Sequence, residues 1–138
     1  MSAFFYYHIL LSSNSISVVA VHGLNPRSKS PENHAWNTWR KPDGEEGRLW
    51  LRDDLPKTTP KARIFLYQYD STAVYGHDQG TFIDKSNELL EAIRVKRDDD
   101  EDKKPLILLG HSLGGLLIRQ ALVNAHNNPK YTHLKLAT

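Results

Sequence analysis

At 138 residues, 39% of them hydrophobic and 25% charged, the chain allows one domain with a real core and excludes intrinsic disorder. Eighteen Lys and Arg against sixteen Asp and Glu leave a net charge of +2, and the basic residues are scattered rather than gathered into a stripe, which excludes a surface that tracks nucleic-acid phosphates. The absence of cysteine excludes disulfides and thiolate metal sites. The seven histidines show no paired ligand spacing on a helix, so neither a metal nor another cofactor is expected.

The chain opens on an apolar patch from Ala3 to Leu11, too short to span a bilayer. A secretory leader would carry basic residues before such a patch, whereas the first Lys or Arg is Arg27. The expectation is an extra strand or a piece of a larger core, with residues 1–15 set apart as an amino-terminal extension. Ile16-Ser17-Val18-Val19-Ala20-Val21 is a β-branched run stopped by His22-Gly23, the pattern of a buried strand. Residues 25–60 hold five of the seven prolines together with Trp36, Trp39 and Trp50, which predicts a long irregular connection with one short helix near Trp36. Ala62 to Tyr69 predicts a second strand, ended by Asp70-Ser71.

Thr81 is placed to cap a helix through Val95, because Phe82, Ser86, Leu89, Leu90 and Ile93 fall on one helical face. The acidic run Asp98 to Asp102, followed by Lys103-Lys104-Pro105, predicts a solvated loop. Leu106-Ile107-Leu108-Leu109 predicts a third strand, and a helix runs from beyond Ser112 through His126. Apolar strands buried on both faces and alternating with helices imply an α/β fold, a mostly parallel sheet flanked by helices, in one unit without internal repeats.

Gly110-His111-Ser112-Leu113-Gly114 stands at the junction of the third strand and the last helix. That is the spacing of a nucleophile elbow, in which a sharp turn lifts a serine out of the backbone and glycines clear the neighbouring positions. By chance the bare pattern would arise on the order of 3% of the time in a chain of this length, and the flanking strand and helix reduce that further. The competing reading is a glycine-rich turn with an ordinary N-cap serine. A serine that attacks a carbonyl needs donors for the oxyanion that forms, and the backbone N–H groups of Leu24, after His22-Gly23, and of Leu113, at the helix start, are the candidates. The His22 ring is expected to tie loops together by hydrogen bonds rather than to do chemistry. The tryptophan-bearing stretch reads equally as the lining of an acyl site and as a set of packing anchors.

With these residues the chain resembles the α/β-hydrolases, and more narrowly the lipase-like group that includes the serine-active-site-containing proteins and is distantly similar to the GPI inositol-deacylases. The narrower resemblance lies in Val21-His22-Gly23-Leu24-Asn25, Trp50-Leu51-Arg52-Asp53-Asp54-Leu55-Pro56 and Tyr67-Gln68-Tyr69-Asp70-Ser71, within residues 16–131. It implies a serine hydrolase acting on carboxylic esters of lipids through a Ser112 acyl-enzyme, within a larger multidomain protein. It also implies an intracellular place at mitochondria or the endoplasmic reticulum, and peripheral contact with membranes.

The fold of that family places an acid and then a histidine after the serine. Here the chain ends 26 residues past Ser112, where Asn127 to Thr138 should approach the next strand. The expectation is therefore a single incomplete domain over residues 1–138, truncated after the helix that follows the elbow and lacking the acid and histidine of the triad. The strand before the elbow is expected to show an open apolar edge. His126 at the far end of the helix and His133 in a following loop are poorly placed to serve as base. His34 and His77 lie in loops, and Asp70 ends a strand on the correct edge of the sheet. The alternative is a non-catalytic recognition or signalling module that keeps the elbow as scaffold. Nucleotide binding is excluded because Gly110 to Gly115 lacks the Gly-Lys-Ser/Thr ending that meets phosphates.

Overall fold

The computed structural model describes residues 3–8, 16–24, 34–40, 48–71, 78–97 and 104–138, with the backbone alone at 3–8, 34 and 136. Strand β1 (Ala3–His8) comes from the apolar amino-terminal patch and pairs antiparallel with β3 (Ala62–Gln68), Phe4 opposite Tyr67. Strand β2 (Ile16–Val21) lies between β3 and β4 (Leu106–Gly110) and is parallel to both, so that Val19 faces Phe65 on one side and Leu108 on the other. The sheet order is β1-β3-β2-β4, an α/β arrangement with three parallel strands and one antiparallel neighbour.

The two-residue period of the strands divides the core in two. Val19, Val21, Phe65 and Tyr67 meet α4 (Gln79–Lys96) and α5 (Leu113–His126) through Leu89, Leu90, Ile93, Leu117 and Ala121. Val18, Ala20, Ile64 and Leu66 face the other way, onto Ala35 and Trp39 of α1 (His34–Trp39) and onto Leu49 and Leu51 beside and within α2 (Trp50–Asp53). Buried β-branched and aromatic residues on both faces of β2 and β3 explain why these runs form central strands.

Strand β4 departs from that expectation. It is an outer strand of the described sheet, and Ile107 is 51% exposed, so burial on both faces holds for β2 and β3 and fails for β4. Among the described residues no strand pairs with the outer side of β4.

Three other differences have local causes. The connection between β2 and β3 holds α2 and α3 (Leu55–Thr58) besides the single helix expected near Trp36. The Asp53 carboxylate makes α2 possible by accepting the Leu49 N–H at 2.8 Å, and Pro56 fits the first turn of α3, where a missing N–H costs nothing. Helix α4 begins earlier than expected, because Asp78 rather than Thr81 is its cap: the Asp78 carboxylate accepts from the Thr81 N–H at 2.9 Å. Beyond α5 the chain does not approach a strand. It makes a 3-10 turn at Pro129–Tyr131 and then α6 (Thr132–Ala137), which returns Tyr131 and Leu134 to the core. The acidic run 98–102 lies outside the described residues.

Candidate functional site

Strand β2 has β3 on one side and β4 on the other, so the chain leaves β2 in one direction and then crosses back over it through α4. The carboxyl ends of β2 and β4 therefore flank the place where the connections diverge, which is where open α/β sheets hold their sites. His22-Gly23-Leu24 leaves one of these strands and His111-Ser112-Leu113 the other.

Ser112 is the turn itself. Its φ of 54° and ψ of −123° make it the only non-glycine residue of positive φ among the described residues, a conformation that costs on the order of 1–3 kcal/mol and persists only where the surroundings impose it. They do so through backbone bonds: the His111 N–H donates to Val21 O at 3.0 Å, the Gly114 N–H to His111 O at 2.9 Å and the Gly115 N–H to Ser112 O at 2.9 Å. A capping serine has extended backbone angles and spends its hydroxyl on the helix. Ser112 has neither property, since its angles are strained and its side chain makes no cap bond, so the N-cap reading is set aside. The serine is exposed.

The glycines differ in their reasons. A β-carbon on Gly110 would stand 2.6 Å from Gly115 Cα, and one on Gly114 would stand 2.2 Å from Val21 O, both backbone collisions. One on Gly23 would stand 2.7 Å from His111 O, 2.8 Å from Ser112 Cβ and 3.3 Å from Leu113 N. Gly23 thus brings the end of β2 against the elbow and keeps the space before the Leu113 N–H clear. That N–H opens α5, where no preceding turn supplies an acceptor. Leu24 follows Gly23 and is half-buried. Gly115 has open space at its β-carbon position.

His22 is fully buried and fully employed. Its Nδ1 meets Gly23 O at 2.8 Å, its Nε2 accepts the Tyr69 N–H at 3.3 Å, and the Tyr69 hydroxyl donates to His22 O at 2.7 Å. One form of the ring satisfies both nitrogen contacts, neutral with the proton on Nδ1. The ring also stacks on Tyr69 with centroids 4.4 Å apart. Burial, and secondarily the neighbouring Tyr67, pushes the Tyr69 phenol well above its ordinary range. His22 is therefore a tie between strand ends, as the sequence implies.

On the other face, His111 is exposed and packs edge-on against Trp39 at 6.2 Å, and Trp39 packs likewise against Trp50 at 6.2 Å. Trp36 carries the Arg52 guanidinium 4.9 Å above its ring, and Arg52 in turn donates to Asp53 at 2.8 Å. Hydrogen bonds from Arg52 and from the Leu49 N–H hold the Asp53 carboxyl at about 2. Trp39, 6% exposed, is a packing anchor, while Trp50 is 38% exposed.

No described histidine donates to or accepts from Ser112. His126 closes α5, about 20 Å along the helix from the elbow. His133 sits in α6 rather than in the loop expected for it. The side chain of His34, which begins α1, and the whole of His77 lie outside the described residues. Asp70 follows β3 at the carboxyl edge and is half-buried. The His111–Trp39 and His22–Tyr69 contacts were not legible beforehand, because each joins residues far apart in the chain. Among the described residues, no group of three His, Cys, Asp or Glu could hold a metal ion, and no helix is long and apolar enough to cross a membrane.

No family model and no solved structure matches the chain. It is similar to protein SERAC1 of Homo sapiens, 28% identical over an alignment of 131 positions that covers 82% of this chain and 18% of that protein. Protein SERAC1 of Mus musculus is 27% identical over an alignment of 135 positions that covers 85% of this chain and 19% of the relative, and that of Bos taurus is 26% identical over an alignment of 131 positions. The chain spans less than a fifth of the length of these relatives.

Proposed function

We propose that the chain is part of an α/β-hydrolase domain whose Ser112 forms an acyl-enzyme with carboxylic esters, those of lipids in particular. The observation that carries this reading is the strained, exposed Ser112 at the β4–α5 turn, with Gly23 pressed against it at the divergence of the sheet. The similarity to SERAC1 supports the reading, and the share of each relative that is matched supports membership of a larger, multidomain protein.

In the reaction, Ser112 Oγ attacks the ester carbonyl carbon and passes its proton to a base. The N–H groups of Leu24 and Leu113 hold the resulting oxyanion, aided by the positive end of α5. The tetrahedral intermediate collapses, the alcohol leaves with the proton, and water then cleaves the acyl-serine to release the acid. The histidine and the acid of the triad lie outside the described residues. Without them, the oxyanion hole and binding leave roughly 10³ to 10⁴ over water.

The absence of a described histidine on Ser112 favours one second reading, a non-catalytic recognition or signalling module. Fluorophosphonate labelling of the folded chain decides between them. Slow stoichiometric labelling that disappears in Ser112→Ala, and that p-nitrophenyl butyrate slows by competition, supports the hydrolase. A folded chain that stays unlabelled is a half-domain, catalytic only when completed by further strands, or the module.

A further inference from the structure

Where the chain leaves β2, two successive carbonyls are turned inward and held. The Tyr69 hydroxyl donates to His22 O at 2.7 Å, and His22 Nδ1 stands 2.8 Å from Gly23 O. A carbonyl only accepts, so the ring proton belongs on Nδ1; the Tyr69 N–H only donates, and it faces Nε2 at 3.3 Å, so that nitrogen is bare. Two backbone groups thus select one tautomer of the ring. Tyr69 also stacks on the imidazole at 4.4 Å and on Tyr67 at 5.8 Å, which fixes the plane of the ring. His22 and Tyr69 are both buried, so water does not compete for these bonds.

A trans peptide is planar, and its C=O and N–H point in opposite directions. The described residues hold no cis bond, so the contact that fixes Gly23 O also fixes the Leu24 N–H, turned away from the buried ring. No described group accepts that N–H. The peptide begins at Gly23, whose β-carbon position lies 2.8 Å from Ser112 Cβ, so the free donor belongs to the segment against the elbow. Resting on the hydrolase reading of Ser112, we infer that Tyr69 is a positioning residue of the reaction: through His22 it holds the Gly23–Leu24 peptide in the orientation that offers the Leu24 N–H to the oxyanion. Tyr69 itself touches no reacting atom. A donor stabilises a developing charge without reorganisation only if its direction is set beforehand. Were this peptide to turn over, Gly23 O would take the place of the N–H and repel the oxyanion.

The test joins nitrogen-15 NMR of the histidine rings to the rate of fluorophosphonate labelling of Ser112, with circular dichroism as the control for folding. In the parent chain at neutral pH, His22 is expected to carry its proton on Nδ1, the opposite of the tautomer that free histidine favours. A proton on Nε2 overturns the inference and needs no variant. Among variants, His22→Asn places its amide nitrogen where Nδ1 stands, whereas His22→Gln places its own where Nε2 stands and leaves Gly23 O without a donor. Labelling of His22→Asn is expected within about tenfold of the parent, and that of His22→Gln on the order of 10²-fold slower, the size of one lost oxyanion donor. Packing alone would rank them the other way, because Gln is closer to His in volume. Tyr69→Phe, which keeps the ring and the N–H but frees His22 O, is expected to slow labelling about three- to tenfold while still folded. A labelled parent whose folded variants all react alike overturns the positioning role and leaves the hydrolase reading standing. A folded parent that stays unlabelled removes the serine step from this chain, and the positioning role falls with it.

Discussion

Gly23 lies so close to Ser112 that a β-carbon on the glycine would stand 2.8 Å from the serine Cβ. The contact joins the loop after β2 to the turn after β4. Gly23→Ala forces that loop away from His111 O and from the space before the Leu113 N–H. Losing one oxyanion donor costs on the order of 10²-fold in rate. The expected result is a drop of that size in fluorophosphonate labelling, with the far-ultraviolet dichroism retained.

Two neighbouring glycines of α5 separate steric need from mere presence. Gly114→Ala drives a methyl into Val21 O and should cost more than about 2 kcal/mol. Gly115→Ala meets open space inside a helix and should stabilise the chain by about 0.5–1 kcal/mol. Urea denaturation of the two variants checks both signs at once. Equal losses would show that the packing of the elbow differs from that described.

The tie between His22 and Tyr69 makes a prediction in alkali. Because the Tyr69 phenol is harder to ionise folded than unfolded, the folded chain holds that proton more tightly. This contribution is fully present below the ordinary phenol value of 10.0 and is lost as pH rises from there towards the higher folded value. Tyr69→Phe removes the hydroxyl that donates to His22 O, costs about 1–2 kcal/mol at pH 8, and flattens the fall in stability attributable to this group above pH 10. Thermal melts from pH 8 to 11 provide the measurement.

Acid acts on the opposite end of the molecule. Glu91 on α4 accepts from Arg94, from Lys130 at 3.1 Å and from the Tyr131 hydroxyl at 3.0 Å, binding the carboxyl-terminal turn to α4. The Arg94 and Lys130 bonds lead in lowering its carboxyl from 4.5 to about 2. A depressed carboxyl stabilises above its unfolded value, so this contribution is present above pH 4.5 and is lost as pH falls towards 2. The pair is partly exposed, so the effect is small and shrinks with salt. Glu91→Gln should reduce the slope of stability between pH 4.5 and 2 at low ionic strength, as read by denaturation at stepped pH. An unchanged slope would show that Glu91 titrates normally.

Where sequence reading and structure part, the cause is competition between local signals. Thr81 and Asp78 are both able to cap α4, and the choice of Asp78 starts the helix three residues earlier because its carboxylate reaches both the N–H and the hydroxyl of Thr81. The short helices α2 and α3 carry too few residues for a periodic pattern, and their ends are held by Asp53 and by the fit of Pro56. The segment after Pro129 folds as α6 because Tyr131 and Leu134 find core positions beside α5 that no local pattern announces.

By itself the sequence determined what depends on near neighbours. The strands follow from apolar β-branched runs, the long helices from their apolar faces, and the Ser112 turn from glycines at fixed offsets, since each is a steric or periodic property of a few successive residues. Only the tertiary structure decided which residues meet across the chain: Gly23 with Ser112, His22 with Tyr69 and Trp39 with His111. Those contacts arise from strand order and register, and a pairing between distant segments is selected by the fit of the whole sheet and its two cores rather than by any one segment's preference.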